Sequence, residues 1–111
     1  MKYVFDIDGT ICYKDDDQDY EQSMPYEHRI EFINRLYDDG NEIVFFTARG
    51  MGRHSDNATL AIQEFYDLTQ NQLNSWGVKY HQLILGKPSG DLYVDDKGIS
   101  DGHFFTNEIC P

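Results

Sequence analysis

Residues 2–10, KYVFDIDGT, constrain the fold more than any other stretch. Tyr3, Val4, Phe5 and Ile7 are β-formers, which predicts a buried strand. The strand delivers Asp6, Asp8, Gly9 and Thr10 at or just past its carboxyl end. Asp6 and Asp8 alternate with Ile7, so on an extended backbone they point to one side. Two neighbouring carboxylates repel each other unless a positive group sits between them. A hard divalent cation with oxygen ligands is the usual solution. Gly9 permits a sharp turn, and Thr10 offers a hydroxyl and an N–H. An ordinary strand running into an Asp-Gly turn has the same local pattern, so the rest of the chain must decide.

With 111 residues there is one domain, 1–111, with one core and no linker. Residues 11–24 show neither helical nor strand periodicity and carry Asp15, Asp16, Asp17 and Asp19. They read as a loop or small hairpin, and the spacing lacks the Gly and Glu of a calcium loop. Residues 25–39 predict a helix. Ser23 is a candidate cap, Pro25 suits the first turn, and Ile30, Ile33, Leu36 and Tyr37 share one face, with Gly40 as the stop. Glu42 to Thr47, EIVFFT, is a second apolar strand, so strand, helix and strand form a right-handed parallel unit.

Neighbouring strands of a parallel sheet share a carboxyl edge, which places Thr47 near Asp6 and Asp8. Its hydroxyl suits either a phosphoryl oxygen or a cap on the following turn. Arg53 and His54 fall in a flexible, polar stretch, placed either to touch a substrate or, as favoured here, in a solvated loop. A second helix starts at Ser55 or Asn57 and runs to Trp76, with Ala61, Phe65, Leu68, Leu73 and Trp76 as its apolar stripe. QLIL, 82–85, is a third strand, and Gly86-Lys87-Pro88 sets Lys87 at the same edge, where it balances carboxylates. DLYV, 91–94, reads as a fourth strand delivering Asp95 and Asp96, with Asp101 beyond. Residues 102–111 are too few for another βα unit. His103 is read as structural or surface, and Phe104 and Phe105 as part of an edge strand or short helix.

The net charge of −11 argues against a surface built for nucleic acid or an anionic membrane. No apolar run is long enough to span a bilayer and no signal-peptide pattern opens the chain. Cys12 and Cys110 lie far apart and read as free thiols of a cytoplasmic protein.

Asp6-Ile7-Asp8-Gly9-Thr10 resembles the first motif of the haloacid dehalogenase-like (HAD) superfamily of phosphohydrolases. Thr47 resembles the second motif, Lys87 the third and Asp95-Asp96 the fourth, in family order. The resemblance implies an α/β, Rossmann-like parallel sheet with helices on both faces, and a squiggle and flap after Thr10. It implies Asp6 as nucleophile forming an aspartyl-phosphate and Asp8 as general acid and base. Thr47 and Lys87 hold the phosphoryl oxygens, with Gly9, Thr10, Ala48 and Arg49 also lining the phosphate. Mg²⁺ is held by Asp6, the Asp8 carbonyl and the Asp95-Asp96 pair. The presence of Asp8 favours a phosphatase or phosphotransferase over a dehalogenase.

Neither inter-motif gap can hold a cap of domain size, so the chain resembles capless members. Their open site must take a protruding ester or be closed by a neighbouring subunit, which makes a homo-oligomer one expectation. IEFINRLYDDGNEIVFFTARG, LILGKP and LYVDDKGI are similar to small phosphatases of capsular or surface-polysaccharide biosynthesis. That implies a sugar phosphate or related monoester as substrate. A looser likeness to polynucleotide 3′-phosphatases is opposed by the acidic balance. An idle binding module on the same fold is a further alternative. A phospho-receiver domain uses similar groups, but its acidic pair comes first in the chain rather than last.

Overall fold

The computed structural model describes residues 1–106. Strand β1, Lys2–Phe5, pairs in parallel with β4, Glu42–Thr47, and β4 pairs in parallel with β5, Gln82–Leu85. The connections carry helix α1, Glu27–Asp38, and helix α2, Ala58–Ser75. A short helix α3, Asp101–Thr106, follows the third strand of the sheet. The architecture is thus α/β, with a three-stranded parallel sheet in the order β1-β4-β5. Of the two cysteines, Cys12 is a buried free thiol, and Cys110 lies outside the described residues.

Register explains where the core lies. Tyr3 and Phe5, Ile43 and Phe45, and Leu83 and Leu85 fall on one face. Phe5, Ile43, Phe45, Leu83 and Leu85 join Ile30, Phe32 and Ile33 of α1, Phe65 and Leu73 of α2, and Phe104 and Phe105 of α3 in one cluster. Phe5 meets Phe104 edge-on at 5.7 Å, and so does Phe32. The opposite face presents Val4, which is 59% exposed, and Ile84, which is 38% exposed. The expectation of helices on both faces is therefore corrected. Both crossovers step the same way across the sheet, and right-handed crossovers in one direction put their helices on one side.

Between β1 and α1 the chain forms the expected hairpin. Strand β2, Cys12–Tyr13, pairs antiparallel with β3, Met24–Pro25, around a one-turn 3₁₀ helix at Tyr20–Gln22. Pro25 therefore belongs to a strand rather than to the first turn of α1, and Tyr26 stands at the cap position in place of Ser23. The extended conformation imposed just before a proline favours this outcome. Helix α2 starts as read, because the Asn57 side chain accepts the Leu60 N–H at 3.1 Å.

The fourth strand does not form. Residues 91–100 form bends or no regular structure and are all exposed, including Leu92 at 80% and Val94 at 89%. Only residues 86–90 separate β5 from Asp91, whereas a parallel crossover needs about a dozen residues or more. The Tyr93 hydroxyl instead donates to the Pro88 carbonyl at 2.6 Å, folding the segment back on its own turn.

Gly50 shows how tightly α2 meets the exit of β4. It has φ +79°, and a Cβ there would stand 2.5 Å from a Phe65 ring carbon. Gly50→Ala is expected to lose about 1–3 kcal/mol from strain and overpacking, read as a lower urea midpoint at unchanged slope.

Candidate active site

Asp6 is the first residue beyond β1. Its Oδ1 accepts the Ile7 N–H at 2.8 Å, and its Oδ2 lies 3.7 Å from Lys87 Nζ. Burial holds the Asp6 carboxyl above the usual carboxylate range. The Ile7 N–H and the Lys87 cation pull it down, and the Asp8 charge adds to the rise. Lys87 reaches Asp6 because Gly86, at φ +95°, turns the chain out of β5, and the Lys87 N–H donates to the Thr47 carbonyl at 3.2 Å. The exits of the three strands are thereby tied together, as a shared carboxyl edge requires.

Asp8 has a different partner. Arg49 Nε donates to its Oδ2 at 3.0 Å, and Arg49 Nη2 donates to its Oδ1 at 3.0 Å. Arg49 Nη1 donates to Thr69 Oγ1 at 3.3 Å, and the guanidinium lies 4.8 Å from the Tyr20 ring centroid. The Arg49 side chain has no accessible surface, while that of Asp8 is 35% accessible. The Cys12 thiol also points at Asp8 Oδ1, at 3.6 Å. Its pKa is pushed up to about 12, first by burial and then by the Asp8 charge.

The other residues expected to line a phosphate have partners inside the fold. Arg49 is buried against Asp8 and Thr69 rather than presented to a ligand. Thr47 is fully buried, and its hydroxyl accepts the Arg49 N–H at 3.2 Å, so it caps the turn. The Gly9 N–H donates to the Cys12 carbonyl and the Thr10 N–H to the Ile7 carbonyl, which spends both inside the turn. Ala48 is half-buried, and its carbonyl accepts the Met51 N–H.

Asp95 and Asp96 lie on the exposed segment. Asp95 Oδ1 accepts the Lys97 N–H at 2.8 Å, and that bond, followed by one to the Asp96 side chain, lowers its pKa. Among the described residues no group of three or more His, Cys, Asp or Glu is placed to hold a metal ion. The Asp6 carboxylate and the Asp95-Asp96 pair, expected to join the Asp8 carbonyl around Mg²⁺, therefore form no such side-chain cluster among the described residues. The cause is the short link after β5, which keeps Asp95 and Asp96 from a strand beside β1.

Arg53 and His54, read as a solvated loop, are pinned to α2. Arg53 Nη1 and His54 Nε2 each lie 2.6 Å from Glu64. A cavity of about 300 Å³ opens beside them, lined by Lys14, Tyr20, Gly50, Arg53 and Phe65 among others, away from Asp6. Tyr93, which carried no signal in the sequence, places its ring centroid 4.2 Å from Lys87 Nζ.

The raised Asp6 pKa has a consequence for stability. The folded chain binds this proton more tightly than the unfolded chain, so the stabilising contribution is full below the ordinary carboxylate range. It is lost as pH rises through the raised folded value. Ionised Asp6 is then a load at neutral pH. Its side chain is 37% exposed, so screening keeps that load below about 1 kcal/mol. Asp6→Asn is expected to melt a few degrees above wild type at neutral pH, with the gap closing at acid pH in a calorimetric series.

No family model matches the chain, and no curated protein matches it. Among solved structures the chain is similar to the crystal structure of an MCSG target protein from Vibrio cholerae. The two are 26% identical over 97% of this chain and 89% of that chain, with a TM-score of 0.87. The likeness supports the α/β fold over the matched 97% of the chain. Among the described residues no helix is long and apolar enough to cross a membrane.

Proposed function

We infer that the chain is a HAD-like phosphoric monoester hydrolase of the cytoplasm, acting through an aspartyl-phosphate on Asp6. One observation carries this reading: a half-exposed carboxylate at the carboxyl edge of the sheet lies 3.7 Å from a lysine ammonium. A nucleophilic carboxylate can approach an anionic phosphate only beside a cation. An Asp6 oxygen attacks phosphorus as the bond to the leaving alcohol oxygen breaks, and that oxygen takes a proton from Asp8. Water then attacks the phosphoenzyme, gives a proton to Asp8, and releases phosphate and Asp6. Lys87 faces the non-bridging oxygens and stabilises their growing charge. Arg49 holds both Asp8 oxygens and so fixes their direction.

Magnesium belongs to this reading through the motif resemblance. The described residues of one chain do not form its ligand set, so no step above passes through the ion. That no metal-holding side-chain cluster forms among the described residues is what favours the second reading, a binding module that keeps the fold without turnover. A sugar phosphate remains the proposed substrate. The net charge of −11 disfavours a nucleic-acid 3′-phosphate. Phosphate release from a panel of sugar phosphates, nucleotides and 3′-phosphorylated oligonucleotides, with magnesium or a chelator, tests both points. Magnesium-dependent release, fastest with a sugar phosphate, is expected. An oligonucleotide as best substrate would overturn the sugar assignment.

A further inference from the structure

Among the described residues, one edge of the sheet and one strand-like segment lack a neighbouring strand. Strand β1 is an edge strand, paired only to β4 among the described residues, and it carries Asp6 at its carboxyl end. Residues 91–96, DLYVDD, combine strand-forming side chains with full exposure, and Leu92 and Val94 stand almost wholly in water. Apolar strand formers of this kind seldom stay solvated next to an open sheet edge.

As a parallel strand the segment cannot reach that edge in its own chain. The Ser89 N–H and hydroxyl both donate to Asp56 Oδ1, at 3.3 and 2.7 Å, which pins Ser89 beside the start of α2. A strand parallel to β1 must begin at the amino end of the sheet, about 13 Å from its carboxyl edge for a strand of this length. From Ser89 to Asp91 the chain spans at most about 7 Å. A short link that forbids closure within one chain invites exchange between two.

We propose that two copies of the chain exchange this segment, so that residues 91–96 of one copy add in parallel to the open edge of β1 in the other. With Asp95 level with Asp6, Leu92 and Val94 fall beside Tyr3 and Phe5, and Tyr93 beside Val4. At the other end Asp91 falls beside the exposed Lys2, so charge as well as apolar pattern matches in this register. Asp95 and Asp96 of the second copy then stand next to Asp6 and Asp8, an oxygen-rich set that suits a divalent cation. Each site is incomplete without the neighbouring copy, which accounts for the absence of a metal-holding side-chain cluster among the described residues of one chain. The chemistry of the completed site rests on the phosphatase reading. The interface stands on the fold alone.

Sedimentation equilibrium of the full chain is expected to give a dimer that tightens about tenfold with magnesium, an effect lost in Asp95→Asn/Asp96→Asn. Leu92→Asp/Val94→Asp alters two exposed side chains and is expected to give a folded monomer. Mixed Val4→Cys and Tyr93→Cys chains are expected to form a disulfide-linked dimer that neither chain forms alone. Mixing inactive Asp6→Asn with inactive Asp95→Asn/Asp96→Asn should restore about a quarter of wild-type phosphate release. Half of the random dimers are mixed, and one of their two sites is intact. A wild-type monomer across the micromolar range, or a mixture that crosslinks no better than either chain alone, would overturn the exchange. Crosslinked dimers that release no phosphate from any ester would support the exchange and sink the phosphatase reading. Phosphate release by a monomer would do the reverse.

Discussion

Asp8→Ala is expected to cost about 3–5 kcal/mol of folding stability, because it strands a buried cation. Arg49 has no accessible surface, so its guanidinium cannot turn to water when the carboxylate leaves. Thr69 Oγ1 at 3.3 Å would remain, a neutral acceptor for one of its nitrogens. Domains of this size hold only about 5–15 kcal/mol in total, so the variant stands near the edge of folding. Asp8→Asn keeps an acceptor for Arg49 and should lose less. Urea unfolding of both variants checks the ranking, and equal midpoints for Asp8→Ala and wild type would refute it. The result matters for enzymology, since lost activity in Asp8→Ala would report a lost fold as much as a lost proton donor.

Lys87→Met is expected to lower the rate of phosphate release about 10²- to 10³-fold, the scale for removing one preorganised charge-stabilising group. The side chain is 18% accessible, and its ammonium bridges Asp6 at 3.7 Å and the Tyr93 ring at 4.2 Å. Stability should change little, because the carbon stem of methionine fills most of the same space. The pH profile supplies a second readout. Lys87 pulls the Asp6 pKa down against burial, so its removal should move the acid limb of activity to higher pH. A rate within twofold of wild type and an unmoved limb would exclude Lys87 from the site.

Much of this architecture was legible in the sequence, for reasons tied to particular residues. EIVFFT is a strand wherever it is buried, and Asn57, Gly40 and Gly77 mark helix ends because their side chains or backbone freedom satisfy helix termini. The approach of Lys87 to Asp6 followed from parallel pairing alone. The role of Arg49 was not legible. The motif resemblance sets Arg49 beside the phosphate, and only the packing of Tyr20, Thr69 and Cys12 around the guanidinium reveals a buried ion pair with Asp8. Thr47 offered two readings from spacing, and the hydrogen bond from the Arg49 N–H selects the turn cap. DLYVDD failed as a strand within the chain because periodicity describes what a segment can pair with. Link length decides whether it gets there.

The most direct test of the account is to mix the protein with a ³²P-labelled ester and magnesium, quench in acid, and map the label. An acid-stable, hydroxylamine-sensitive phosphoryl group is expected on the peptide containing Asp6. Asp6→Asn is expected neither to carry label nor to release phosphate while remaining folded. Phosphate release by Asp6→Asn at the wild-type rate would contradict it.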